Sequence, residues 1–297
     1  MTGSAARGST RTIALIGHPV AHSISPRFQQ AALDASGIDA RYEAWDVLPE
    51  DLGVALERLR SGSMLGANVT IPHKEAVARL VDRPDALVER MGAANTIVQR
   101  DGLLHATNTD VLGITRSLEE AGIDVRGRAV LLLGAGGAAR AVVVAMRRAG
   151  AASLVIANRT EDRARVIAAL AGDEMATSVV PFDATAPALR AAAREAALIV
   201  NSTSLGMRHG PAAGETPLPS ELFAPGQAAF DLVYVPERTP FLEAAERAGA
   251  RTIGGLSMLV HQGAEAFRLW TGVEPPLAVM FEAARAALHD ADAREGR

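Results

Sequence analysis

The chain has 297 residues, of which 48% are hydrophobic and 4% aromatic, and a formal net charge of −4. That length suggests two domains of about 100–200 residues each, and a slightly acidic chain poor in aromatics lacks the basic footprint of a nucleic-acid binder. There is no cysteine, which excludes disulfides and thiolate metal sites and is compatible with a reducing cytoplasm.

Residues 1 to 10 are small and polar and do not read as a signal peptide. Strand-like apolar runs follow in chain order at Thr12–Ile16, Ala40–Val47, Gly66–Thr70, Asn95–Gln99, Ala129–Leu133, Ser153–Ala157, Ser178–Val180, Ala197–Val200 and Ala228–Val233. Between them, helical periodicity is expected around Pro26–Ser36, Leu48–Arg60, His73–Leu80, Thr109–Ala121, Gly137–Ala149, Glu161–Ala171 and Pro240–Ala248. Two further helices, Ser257–Trp270 and Pro275–His289, close the chain, and the tail "DADAREGR" is expected to fray. This alternation predicts an α/β protein with largely parallel sheets. No apolar run reaches the ~18 residues of a membrane span.

The strongest local signal is "AVLLLGAGGAARAVVVAMRRAG" at 129–150. An apolar strand enters Gly134, Ala135, Gly136, Gly137, Ala138 and Ala139 and continues as a helix. In this G-x-G-x-x-A pattern the first glycine makes the tight turn. The second admits a pyrophosphate to the backbone, and the small third residue lets the helix pack closely. The helix N-terminus then faces the phosphates. The next strand ends in Asn158, Arg159 and Thr160 rather than in the acid of an NAD site. Arg159, with Arg163 one turn later, suits a 2′-phosphate, so NADP is expected. Thr160 also reads as a helix N-cap, and Arg163 equally as a solvated helix face. Residues of about 110 to 254 form this cofactor module.

The first 109 residues hold polar clusters on an apolar background. "HPVAHSISP" places Ser23 and Ser25 before a helix with Pro26 in its first turn; Ser25 reads equally as an N-cap, Ser23 does not. "NVTIPHKE" brings Asn68, Thr70 and Lys74, "GAANTIV" brings Asn95 and Thr96, and "ATNTDVLG" brings Asn108, Thr109 and Asp110. Capping of the next helix is an open alternative for Asn108 and Thr109, with Asp110 in its first turn. Hydroxyls, amides, one ammonium and one carboxylate suit a small polyhydroxylated acid. The seven histidines (His18, His22, His73, His105, His209, His261 and His289) show no metal-ligand spacing and read as surface or packing residues.

Lys74 stands alone against 29 arginines. Coding bias toward arginine explains the rest, because a surface charge tolerates the exchange. A chemical role need not, since guanidinium cannot release its proton near neutral pH; taken alone, Lys74 reads equally as one lysine that escaped the bias.

With these stretches in view, the sequence resembles the shikimate dehydrogenases along nearly its whole length. The matching motifs are "GHPVAHSISP", "NVTIPHKE", "GAANTI", "NTD", "GAGGAAR", "ANRT", "NSTSLGM", "FDLVY", "TPFL" and "GGLSMLVHQGAEAF". The resemblance implies NADPH-dependent, reversible reduction of 3-dehydroshikimate to shikimate in the pathway to aromatic amino acids. It implies two α/β domains with a cleft between them: a discontinuous substrate domain, 1–109 with 255–297, and a Rossmann-type NADP domain, 110–254. It also implies that Ser23 and Ser25 bind the substrate carboxylate, that Thr70 and Asn95 contact ring hydroxyls, and that Gln262 and Tyr234 touch substrate. Lys74 and Asp110 match the catalytic pair. Gly134 to Ala138, Asn158 to Arg163, Leu232 and Gly255 match cofactor positions, the last near the nicotinamide. His73 and His261 stand at variable positions beside Lys74 and Gln262. A cytoplasmic monomer or homodimer that binds neither nucleic acid nor membrane is expected. The rivals are a quinate/shikimate or aminoshikimate dehydrogenase of the same fold, a non-catalytic NADP sensor, which has no need of Lys74 with Asp110, and a methylenetetrahydrofolate dehydrogenase, which the S-x-S, AANT and NTD stretches oppose.

Overall fold

The computed structural model describes residues 10–208, 210 and 212–295; the expectations for the first nine residues, His209 and the last two residues lie outside them. The chain forms two compact units, one of Met1–Thr107 with Ala264–Ala287 and one of Asn108–Gly263 with Leu288–Arg297.

The first unit holds β1 (Arg11–Gly17), β2 (Ala40–Asp46), β3 (Met64–Val69), β4 (Arg83–Pro84), β5 (Thr96–Arg100) and β6 (Leu103–Thr107), in the spatial order β2-β1-β3-β5-β6-β4. Its helices are α1 (Ser25–Ala35), α2 (Leu52–Leu59), α3 (Lys74–Leu80) and α4 (Ala86–Met91). β1 pairs in parallel on both sides and is buried from Ile13 to Gly17, as is usual for strands of a parallel sheet. β2 alternates buried and open positions, which suits its place at the sheet edge.

This sheet is largely parallel: five of its six strands run in one direction, and β5 alone is reversed. β5 runs antiparallel to β3 and to β6. β5 and β6 form a hairpin across Asp101 (φ 51°) and Gly102 (φ 78°), the left-handed pair that a tight two-residue turn requires. β6 was missed because polar His105 and Thr107 interrupt its apolar run. The Asp-Gly signal for it stood in the sequence. α4 is too short to show a helical period, yet its ends are marked: Asp85 Oδ1 accepts from Val88 N at 2.8 Å, and Gly92 is left-handed (φ 64°).

The second unit holds β7 (Ala129–Leu133), β8 (Ser153–Asn158), β9 (Ala176–Pro181), β10 (Leu198–Asn201), β11 (Ala228–Asp231) and β12 (Arg251–Ile253), all parallel, ordered β12-β11-β10-β7-β8-β9. Counted from β7 this is the 3-2-1-4-5-6 order of a doubly wound dinucleotide-binding sheet, in which the order of strand addition reverses between β7 and β10. Its helices are α5 (Asp110–Glu120), α6 (Gly137–Arg148), α7 (Glu161–Ala168), α8 (Pro187–Glu195) and α9 (Pro240–Arg247). α7 stops three residues before its expected end, where a 3₁₀ stretch with Gly172 at φ 60° takes over. The central strands β7 and β10 are buried along nearly their whole length. Phe223 and Phe241 meet edge to face at 5.4 Å in the core beside them.

Two helices end the chain: α10 (Gly255–Thr271) and α11 (Leu277–Glu295). α11 carries through most of the tail that was expected to fray. Trp270 of α10 donates from Nε1 to Ile97 O at 2.8 Å. Among the described residues no helix is long and apolar enough to cross a membrane.

Candidate active site

In the first unit, backbone bonds gather the predicted residues at one end of the sheet. Thr70 N donates to Ile16 O (2.8 Å), His18 N to Ile71 O (3.0 Å), Val69 N to Asn95 O (2.8 Å) and Ala94 N to Lys74 O (2.9 Å). The segment after β1, the segment after β3 and the start of β5 are therefore tied together, and they carry Ser23, Ser25, Thr70, Lys74 and Asn95.

Ser25 opens α1 and does not cap it: the cap position is Ile24, without a side-chain bond, and Ser25 N instead donates to Ser23 Oγ at 3.3 Å. α1 has no acidic residue in its first turn, so its N-terminus with two serines is suited to an anion. Lys74 opens α3, half-buried. Just before it, the buried ring of His73 holds Val47 O from Nε2 at 2.7 Å. A carbonyl only accepts, so this nitrogen carries the proton.

Beneath the site lies a buried polar chain that sequence reading did not assemble. Tyr42 Oη donates to Asn68 Oδ1 (2.8 Å), Asn68 Nδ2 donates to Asn95 O and Thr96 Oγ1 (both 3.3 Å), and Thr96 Oγ1 donates to Asn95 Oδ1 (3.0 Å). Asn68 and Thr96 were legible as polar residues. Tyr42 was not, because it lies a strand away in β2.

In the second unit, Asp110 is buried in the first turn of α5, its N–H bonded to Asn108 Oδ1 at 3.1 Å. Thr109 occupies the cap position without capping, and its hydroxyl donates to Gln262 Oε1 at 3.4 Å. Gln262 in turn donates from Nε2 to Leu259 O at 2.7 Å. Farther along the same pair of helices, Glu120 takes hydrogen bonds from Ser257 Oγ (2.9 Å) and lies 2.9 Å from His261 Nε2. Burial raises the Glu120 carboxyl, but its contacts with His261 and Ser257 outweigh that and hold it below its ordinary value.

The Gly-rich turn stands at the reversal point between β7 and β10. Gly134 has φ +101°, and a Cβ there would lie 2.9 Å from Ser202 Oγ and 3.0 Å from Thr203 Cγ2. Gly136 faces open space at the N-terminus of α6, whose first turn has no acid; Ala135, Gly137 and Ala138 complete the turn. At the end of β8, Asn158 Nδ2 closes the turn onto Thr160 O at 2.8 Å, and Thr160 sits at the cap position of α7 without a side-chain bond. Arg159 and Arg163 are exposed, and neither joins an ion pair among the described residues. A backbone cradle, an open helix N-terminus and two guanidinium groups in place of an acid fit NADP(H).

Beyond β11, Leu232 and Tyr234 are half-buried. Gly255 lies so close that an added Cβ would meet Val233 O at 2.6 Å and Leu232 O at 2.7 Å. Below them Asp231 accepts from Asn201 Nδ2 (2.9 Å), Val233 N (3.0 Å) and Thr239 Oγ1 (2.6 Å). Burial pushes this carboxyl up to about 6 against those three bonds. Asp231 was visible only as part of a motif. Among the described residues no cluster of histidines and acids could hold a metal.

A doubly wound sheet with this turn and an Asn-Arg-Thr strand end, joined in one chain to a second α/β unit rich in hydroxyl and amide groups, defines a two-domain NADP-type dehydrogenase. Residues 15–97 match the shikimate dehydrogenase substrate binding domain, 116–206 the shikimate/quinate 5-dehydrogenase family, and 255–285 the shikimate 5′-dehydrogenase C-terminal domain. The shikimate dehydrogenase (NADP(+)) of Moorella thermoacetica is 50% identical over 95% of this chain and 95% of its own. The crystal structure of the Thermus thermophilus shikimate 5-dehydrogenase with NADP(H) and shikimate superimposes with a TM-score of 0.83, at 43% identity over 94% of this chain and 100% of that one. The Corynebacterium glutamicum quinate dehydrogenase, in complex with NAD, gives 0.85 at 30% identity over 93% and 99%. The chain belongs to the shikimate dehydrogenase family.

Proposed function

We infer that this protein is an NADP-dependent shikimate dehydrogenase, which reversibly reduces 3-dehydroshikimate to shikimate for aromatic amino-acid biosynthesis. The observation that carries this beyond family membership is the lone lysine. Lys74 opens α3 on a segment tied by backbone bonds to Thr70 and Asn95, among groups that suit a hydroxylated ring.

NADPH supplies the hydride that converts the ketone to an alcohol. The Lys74 ammonium stabilises the negative charge that grows on the carbonyl oxygen and supplies its proton. Asp110 accepts a hydrogen bond from a ring hydroxyl. Ser23 and Ser25, with the N-terminus of α1, hold the carboxylate; Thr70, Asn95, Gln262 and Tyr234 bond or border the ring. Gly134, Ala135, Gly136, Gly137 and Ala138 receive the pyrophosphate. Asn158, Arg159, Thr160 and Arg163 take the 2′-phosphate end, and the backbone of Leu232 with Gly255 borders the nicotinamide. We assign substrate binding to 1–109 with 255–297 and cofactor binding to 110–254. That division follows what residues bind rather than how they pack, since Gln262 packs with the Asn108–Gly263 unit. The same reading has the enzyme in the cytoplasm as a monomer or homodimer.

Initial rates with shikimate or quinate, each with NADP⁺ or NAD⁺, test this, with Lys74→Ala as control. Turnover confined to shikimate with NADP⁺ and lost in the control is expected. Quinate turnover of equal efficiency, or an intact control, overturns the substrate or the lysine assignment respectively.

A further inference from the structure

Asp231, to which the proposed reaction assigns no role, joins three segments beside the reversal point of the sheet. Its Oδ1 accepts from the Asn201 side chain at the end of β10 and from the backbone of Val233, and its Oδ2 accepts from Thr239. Each partner is itself engaged. Asn201 Oδ1 accepts from Thr203 N (3.0 Å) and Thr203 Oγ1 (2.7 Å), and Thr203 is one of the two residues on which Gly134 closes. Thr239 caps α9 by accepting from Leu242 N at 3.2 Å. Val233 and Leu232 present the carbonyls against which Gly255 packs. One carboxylate thus connects the wall of the Gly-rich turn, the Leu232–Tyr234 segment and the start of α9.

The groups acting on Asp231 are all uncharged: a hydroxyl, a backbone N–H and an amide. Burial therefore raises the carboxyl, and ionisation is costly. A buried neutral amide would be cheaper for packing alone, but it offers one acceptor oxygen where three donors converge.

We propose that Asp231 is a positioning residue for the cofactor: its carboxylate, through Asn201, Val233 and Thr239, sets the backbone of Leu232–Val233 and the loop facing the Gly-rich turn. The proposal rests on the reading that Leu232 and Gly255 border the nicotinamide. It assigns no contact between Asp231 and either ligand.

The test compares Asp231→Asn, Thr239→Val and Thr239→Ser by steady-state kinetics in the full-length enzyme, with thermal melts on each. Thr239→Val keeps the shape and removes both the bond to Asp231 and the cap on Leu242 N, while Thr239→Ser keeps both, so Asp231→Asn, which leaves the cap in place, must share the loss. Losing one hydrogen bond to a charged group is expected to raise the NADP⁺ KM, lower kcat, or both, by about tenfold or more in total. The shikimate KM stays within about twofold, and Thr239→Ser remains near wild type. Wild-type kcat and NADP⁺ KM in Thr239→Val overturn the proposal. So does a loss spread equally over both substrates, which marks a general loss of structure, or an equal loss in Thr239→Ser. Gly255→Ala separates the two readings, since its Cβ displaces the Leu232 and Val233 carbonyls directly. An altered NADP⁺ KM there, with Thr239→Val unaffected, refutes the positioning role alone. An unaltered one refutes the assignment of Leu232 and Gly255 on which the proposal stands.

Discussion

Gly17 ends β1 with no side chain, and the reason lies in Thr70. A Cβ at Gly17 would overlap Thr70 Cγ2 and lie 3.3 Å from Ile71 O. Its φ is not in the left-handed region, so Gly17→Ala strains no backbone and gains about 0.4–1 kcal/mol from a stiffer unfolded chain. The collision is therefore the main cost, about 1–3 kcal/mol for a methyl forced into a packed site. Thr70 relieves it by turning about χ1, and because Cγ2 and Oγ1 share one carbon, the hydroxyl leaves its place as well. If that hydroxyl makes one neutral hydrogen bond to shikimate, its loss is worth about 0.5–1.5 kcal/mol, or about two- to tenfold in KM. Thr70→Ser deletes Cγ2 and keeps the hydroxyl. The four proteins of the cycle, assayed for shikimate KM and urea midpoint, should show coupling of about 0.5–3 kcal/mol in stability, with the double variant recovering both readings. The NADP⁺ KM should not move. A Gly17→Ala enzyme with an ordinary shikimate KM, or a double variant no better than the single, refutes the reasoning.

Lys74→Arg keeps the charge but loses a compact, proton-releasing head; kcat should fall by about a hundredfold or more with the enzyme still folded, and near-normal turnover would sink the assignment. Gly134→Ala adds about 1–3 kcal/mol of backbone strain at φ +101° besides its clash with Ser202 and Thr203. NADP⁺ Kd by fluorescence titration should rise while shikimate binding holds, and an unchanged Kd counts against the turn as a phosphate cradle. Arg159→Ala should lower the NADP⁺ over NAD⁺ preference by about ten- to a hundredfold, the scale of charge-assisted bonds to a phosphate; a preserved ratio removes Arg159 from the site. The Glu120 carboxyl is held below its ordinary 4.5 in the folded protein, so its contribution is full above that pH and fades as pH falls through the folded value. Glu120→Gln should therefore flatten the acid limb of urea midpoints below about pH 4.5, and parallel curves for the two proteins would refute this.

The Gly-rich turn was legible from its own spacing, because a strand, a glycine at positive φ and a helix N-terminus are all local demands of one short segment. The absence of an acid after β8 was legible for the same reason. So were the polar stretches that bear Ser23, Thr70, Lys74, Asn95 and Asp110, although resemblance rather than spacing supplied their individual roles. Strand direction was not legible. Nothing in β5 itself marks its direction, and only its pairing with β3, and with β6 across Asp101–Gly102, shows it running against the other five strands of the first sheet.

Capping went the other way. Ser25, Thr109 and Thr160 each had the chemistry of a cap, and none caps with its side chain; Thr109 bonds to Gln262, 153 residues away in sequence. The buried hydrogen-bond chains are tertiary in the same sense. Tyr42 reaches Asn68 from a strand two places over in the sheet, and Asp231 collects Asn201 and Thr239 from separate turns. Sequence by itself determined the chemistry available in each short segment, because turns, strand ends and helix starts answer to neighbours a few residues away. The tertiary structure alone decided which polar groups share a partner, because a buried donor is satisfied by whatever acceptor the fold brings within 3 Å or so, at any separation along the chain.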